Sequence, residues 1–159
     1  MKSVWFLGFS SLALLLGLAF YLAPLHPPML ALQFTFSQQA FEAVTAQWGP
    51  QGLALFRSHL YPDFGLMVCY ALYGVFTVQR TRLFHMRYVP PIFWYALMPL
   101  AALADVVENS LHLAITAPHA QPQAWCYLTA GFSATLKSAL IMFFLLVAVW
   151  RGWSLRQRN

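Results

Sequence analysis

Solid apolar blocks, each about as long as a bilayer is thick, constrain this chain more than any other feature. In windows of ~19 residues, hydropathy rises over Val4–Leu22, Leu60–Val78, Ile92–Thr116 and Trp125–Trp150. A helix needs ~20 apolar residues to cross ~30 Å of hydrocarbon. A water-soluble fold instead spaces its apolar residues at helical or strand period, with polar residues between. Composition agrees: 60% of residues are hydrophobic and 8% charged, against ~25% charged in an ordinary soluble domain. The expectation is one all-α domain over residues 1–159, an integral membrane four-helix bundle. The helix carrying the second block is free to begin before Leu60.

Basic residues orient such a bundle. Lys2, Arg80, Arg82, Arg87, Arg151, Arg156 and Arg158 flank one side, Arg57 flanks the other, and Lys137 lies inside a block. The positive-inside rule places both termini and the Arg80–Arg87 loop in the cytoplasm. The formal charge of +5 is thereby used up in topology, and no nucleic-acid partner is expected. The first block follows Lys2 as a signal peptide's would, but it is long and no A-x-A-like site follows it, so it is expected to be retained. Trp5, Tyr21, Tyr61, Tyr88, Trp94, Trp125, Trp150 and Trp153 fall near block ends, where an aromatic belt forms.

The one long loop, residues 23–59, faces outward. "PLHPP" excludes regular helix, because proline lacks an N–H and fixes φ. "LQFTF" alternates as a short extended piece does. Ser37 is positioned as the N-cap of "QQAFEAVTAQW", and Gly49 with Pro50 is expected to end that helix. Its apolar set includes Phe41, Val44 and Trp48, so it reads as an amphipathic helix lying on the outer face or capping the bundle. Cys69 falls near mid-membrane and Cys126 near a helix end, which disfavours a disulfide between them.

The chemistry is concentrated in few residues. The chain has four acids, and Asp63, Asp105 and Glu108 fall in or at the edge of blocks. A charge at the bilayer centre costs roughly 2.5–3.5 kcal/mol on insertion scales, so such groups face the interior and find partners. Asp105, Glu108 and His112 are spaced i, i+3, i+7 along one helix face, with Asn109 flanking it. At 1.5 Å per residue, Glu108 lies ~12 Å and Asp105 ~16 Å below the outer end of the third span, and Lys137 ~18 Å below that of the fourth. Asp63 sits in the first turns of the second. One layer with three formal negative charges and one positive is expected to keep a proton on at least one acid. Tyr70 and Tyr73 are deep enough to bond to this layer or merely pack. Asp105, Glu108 and Asp63 are the candidate catalytic groups; Asn109, Lys137, Tyr70, Tyr73 and His112 are candidate ligand-binding groups, with His112 at the rim.

Two other readings stand beside this one. Asp105 and Lys137 alone make a structural ion pair, and Ala130, Ala134 and Ser138 suit close helix approach. Alternatively, His59 with Asp63 and Glu108 with His112, each spaced i, i+4, resemble the halves of a carboxylate–histidine metal site. No motif for a cofactor is present.

The stretches "FSQQAFEAVTAQWGPQG", "YPDFGLMVCYALYG", "MPLAALADVVEN" and "SATLK" together resemble an uncharacterised family of small four-span bacterial membrane proteins. The resemblance covers most of the chain from Phe36 onward. It implies a bacterial inner-membrane location and singles out Asp63, Asp105, Glu108, Asn109 and Lys137. His59 and His112 are outside the shared pattern, and no reaction comes with it. In architecture the chain is more loosely similar to the emopamil-binding, sterol-isomerase-like membrane proteins, whose interior carboxylates handle a lipid-like substrate. The expected function is binding of a lipidic or amphiphilic small molecule, with acid–base chemistry at the layer. The rivals are a non-enzymatic membrane subunit, as a homo-oligomer or beside a partner, and a small ion-conducting or metal-binding protein.

Overall fold

A computed structural model describes residues 1–157, so Arg158 lies outside the described residues. The described chain is helical without strands: α1 (Lys2–Tyr21), α2 (Leu30–Gln33), α3 (Gln38–Arg80), α4 (Pro91–Ile115) and α5 (Ala124–Arg156). Among the described residues, three helices are long and apolar enough to cross a membrane: α1, α4 and α5. They coincide with three of the expected spans to within a few residues, except that α5 runs on past Trp150 to Arg156. The remaining expected span, 60–78, lies within α3, where Tyr61, Pro62 and Asp63 dilute the apolar run.

Contacts show that neighbouring helices run antiparallel. Tyr21 hydrogen-bonds Ser58 at 2.8 Å while Gly8 packs on Tyr73, which aligns α1 against α3. Arg57 reaches Thr116 at 2.6 Å while Gly74 packs on Met98, which aligns α3 against α4. Trp94 stacks on Phe143 near one end of the α4–α5 pair, and Lys137 meets Asp105 further along. The helices pack in the order α1, α3, α4, α5, and α1 touches only α3 among the described helices. Lys2, Arg80, Arg82, Arg87, Arg151 and Arg156 therefore gather at one end.

The long loop differs from its expectation in two places. Ser37 does cap α3, its hydroxyl accepting from the Ala40 N–H at 3.3 Å. At Gly49 the backbone turns to φ 63°, ψ −174°, a conformation that only glycine adopts without strain. The helix breaks there but restarts at once, because proline suits the first turn of a helix. α3 is thus a kinked helix with an outer arm, Gln38–Trp48, rather than a separate loop helix followed by coil. The "LQFTF" stretch is not extended: Leu30–Gln33 form the short helix α2, and Thr35 folds back onto the Leu32 carbonyl at 2.7 Å. With no strand beside it, an alternating pentapeptide has nothing to pair with.

The arm and α2 are fastened down. Trp48 Nε1 donates to the Pro27 carbonyl at 2.7 Å. Gly131 on α5 lies so close to the Thr35 carbonyl that an added Cβ would meet it at 2.4 Å. Two apolar clusters result. The outer one contains Leu32, Phe41, Trp48, Phe56, Leu60, Ile115 and Tyr127. The inner one contains Met67, Val78, Phe84, Trp94, Met98 and Phe144. Trp94 is a correction to the aromatic belt: it is 3% exposed, stacked among Phe84, Phe93 and Phe143. Trp5, Tyr61, Tyr88, Trp125, Trp150 and Trp153 are exposed as a belt requires. Cys69 and Cys126 are free and half-buried.

Candidate functional site, a buried polar layer

Between the two clusters lies a layer of polar side chains. Helical period puts them there. On α3, His59, Asp63, Tyr70 and Gly74 share the buried face; on α4, Asp105, Glu108, Asn109 and His112 do; on α5, Ala130, Ala134 and Lys137 do. Ala130 and Ala134 let neighbouring elements approach closely; Ser138 is only half-buried.

One end of the layer is fully bonded. Lys137 Nζ donates to Asp105 Oδ1 at 2.7 Å, and Tyr70 Oη donates to Asp105 Oδ2 at 3.0 Å. Asn109 Nδ2 donates to Asp63 Oδ2 at 2.8 Å. Both carboxylates thus receive a donor from a neighbouring helix, as buried charges require.

The other end is not. Glu108 is wholly enclosed, 0% exposed. Lys137 Nζ comes within 2.6 Å of its Oε2 as a close ion pair, while Oε1 has no hydrogen-bond partner. His112 Nδ1 stands 4.0 Å from Glu108 Oε1, too far to bond, and has no other partner. His59 turns Nδ1 to the Phe56 carbonyl one turn back, which holds the ring proton on that nitrogen and leaves Nε2 bare and unpartnered. The Phe56 ring neighbours both imidazoles, at 5.0 Å from His59 and 5.6 Å from His112. Orphaned buried polar atoms are rare in folded proteins, and three of these, His59 Nε2, Glu108 Oε1 and His112 Nδ1, sit at one end of one layer.

The sequence-expected residues sort accordingly. Asp63, Asp105, Glu108, Asn109, Lys137 and Tyr70 come together at one level. Tyr73 does not join them: it faces α1, where an added Cβ on Gly8 would meet its ring at 3.1 Å. His112 is not at a rim; it is 2% exposed, covered by Phe41 and Phe56. The four residues of the metal alternative, His59, Asp63, Glu108 and His112, do not converge. Among the described residues no three His, Cys, Asp or Glu side chains are placed to hold an ion. Asp63 is taken by Asn109, and His59 is turned to its own helix.

A cavity of about 470 Å³ opens beneath the outer arm, lined by Gln38, Phe41, Glu42 and Thr45 of the arm, the end of α4 and Tyr127. Asp63, Asp105, Glu108, Lys137, His59 and His112 do not line it. Phe41 and Ile115 fill the space between. Its α4 wall is braced by Arg57, whose Nη1 donates to the Leu113 carbonyl at 2.9 Å and to Thr116 Oγ1 at 2.6 Å. Sequence reasoning assigned Arg57 only to the outer side. An arginine two residues before His59, on the helix facing the α4 C-terminus, was the available signal, since cations suit that end of a helix.

Compared with known proteins, the chain matches no family model, no curated protein and no solved structure.

Proposed function

We propose that the protein crosses a bacterial inner membrane four times, as a bundle of α1, α3, α4 and α5 with cytoplasmic termini, and binds one lipidic or amphiphilic small molecule at Glu108. Basic residues gathered at one end support the orientation; the family resemblance supports the setting. The observation that carries the binding reading is Glu108 itself: a fully enclosed carboxyl paired with Lys137 through Oε2 and left unbonded at Oε1. A fold gains nothing by leaving such a group unbonded, whereas a working acid needs free lone pairs and a proton to give. Asp105, held by Lys137 and Tyr70, keeps its charge in place while Glu108 exchanges its own; separating two acids in this way is how one site supplies acid and base. Asp63, bonded to Asn109, belongs with the holding set.

The test compares wild type with Glu108→Gln, both purified in mild detergent. Native mass spectrometry is expected to find one small lipophilic adduct on the wild type and none on a still-folded variant. An adduct that persists unchanged sinks the reading.

The structural alternative, a non-enzymatic subunit, draws on the bonded Asp105–Lys137–Tyr70 set, which fixes helix register without any ligand. A conducting pore is disfavoured by the packed inner cluster, and a proteoliposome proton-flux assay is expected to show no leak.

A further inference from the structure

Phe41 and Ile115 stand between the outer cavity and the unbonded end of the layer, and Phe41 packs on His112. Phe41 lines the cavity, and its ring lies 5.7 Å from His112 and 5.4 Å from Tyr127. Behind it, His112 Nδ1 and Glu108 Oε1 face each other at 4.0 Å, both without a hydrogen-bond partner. That gap closes with a small side-chain rotation or a bridging water. From Glu108 the polar contacts run on through Lys137 and Asp105 to Tyr70. There they meet the packed inner cluster, with Met67, Trp94, Met98 and Phe144 among its members. A polar chain that starts beneath an outer cavity and ends in an apolar plug exchanges with one side only.

We infer that His112 carries protons between the outer cavity and Glu108, and that Phe41 is the shutter across that route. The inference rests on the reading of Glu108 as a working acid, which has to be reprotonated after each use. The step balances: a hydronium in the cavity gives its proton to His112 Nε2 as the Nδ1 proton passes to Glu108 Oε1. One N–H bond and the carboxyl O–H bond form, one N–H bond and one hydronium O–H bond break, and water, neutral imidazole and neutral carboxyl remain. A half-turn of the ring then brings the protonated nitrogen back toward Glu108. His59 takes no part, because its Nδ1 proton is held by the Phe56 carbonyl and the Phe56 ring stands beside it toward His112. His112 is here a proton carrier acting on Glu108, distinct from the group that meets the bound molecule.

The test is hydrogen–deuterium exchange at the carboxyl, followed by infrared spectroscopy on full-length protein in phosphatidylcholine bilayers. The carboxyl C=O band missing from Glu108→Gln reports Glu108. After a switch to D2O, His112→Ala is expected to shift this band on the order of tenfold more slowly than wild type. Millimolar imidazole is expected to restore the rate, which a merely structural histidine would not allow. Phe41→Ala, with His112 intact, is expected to speed exchange. A wild-type rate in His112→Ala, no rescue by imidazole, or no Glu108 band at all overturns the inference. If His112→Ala does not fold, Phe41→Ala decides, and an unchanged rate there overturns it. These rates are independent of the bound mass in the preceding experiment, so each reading fails on its own measurement.

Discussion

The two ends of the polar layer are built from the same residue types and treated in opposite ways. Around Asp105 and Asp63, every contact is a directed bond from a neighbouring helix: lysine, tyrosine and amide each donate to a carboxylate oxygen. Around Glu108, about one turn further out on α4, burial is at least as complete, yet Lys137 meets only Oε2, Oε1 has no donor, and two imidazoles stand by with free nitrogens. A layer kept only for helix register would gain by bonding both ends, since an unmet buried acceptor costs about 1–3 kcal/mol. The contrast separates a holding set from an exchanging set, and it makes different demands on substitutions at the two ends.

The largest expected effect falls on the residue that serves both ends. Lys137 is the one buried cation among the described residues. Lys137→Met keeps the length and the apolar stem but leaves Asp105 and Glu108 facing each other without a counter-charge. Removing one partner of a buried ion pair typically costs about 3–5 kcal/mol. Denaturant titration in bicelles is expected to show a loss of that size or failure to fold. A drop below about 1 kcal/mol would mean that the two acids carry protons rather than charge, and that the holding set holds nothing.

How this layer could be foreseen, and where foresight stopped, follows from the same geometry. Depth along a helix is arithmetic: a fixed rise per residue placed Asp105 and Lys137 at nearly one level from block ends alone, and they meet at 2.7 Å. Neighbour order is not arithmetic. Tyr70 and Tyr73 are three residues apart in similar sequence, yet one points to α4 and the other to α1, and hydropathy says nothing of which helix packs where. His112 looked like a rim residue because the span ends at Ile115. The outer arm of α3 then adds a storey above that end, with Phe41 as its floor. The arm stays joined to the span because Gly49 bends the helix without ending it. Glycine followed by proline also occurs at true helix ends, so the pair alone does not distinguish a kink from a stop. The cavity is a product of that arm, which is why no motif announced it.

A smaller effect is expected at Tyr70. Its hydroxyl donates to Asp105 Oδ2 within the buried layer, and Tyr70→Phe removes that donor while leaving the ring against the inner cluster. Hydrogen bonds inside membrane bundles contribute modestly, and those to charged groups somewhat more, so a loss of about 1–2 kcal/mol is expected. The adduct seen by native mass spectrometry is expected to survive in this variant. Loss of the adduct with stability intact would move Tyr70 from the holding set into the binding site and redraw the boundary between the two ends.

The smallest stability effect is expected at the most deeply buried acid. Glu108→Gln removes a carboxyl from the packed interior of the helices, a change that ordinarily looks severe. Here Lys137 keeps Asp105 as its partner, so no charge is stranded. The glutamine oxygen can still accept from Lys137 where Glu108 Oε2 does, and Oε1 has no bond to lose. The amide keeps the side chain's shape between Lys137 and His112. A stability change within about 1 kcal/mol of wild type is therefore expected, together with complete loss of the adduct and of the exchangeable carboxyl band. Asp105→Asn, the same chemical change one turn deeper, strips Lys137 of its hydrogen-bonded partner and is expected to destabilise by more. Equal losses in the two variants would show that the layer is one structural unit and that the unbonded Oε1 of Glu108 carries no function. A near-silent Glu108→Gln beside a costly Asp105→Asn would locate the exchanging acid at the outer end, where the cavity and His112 can reach it.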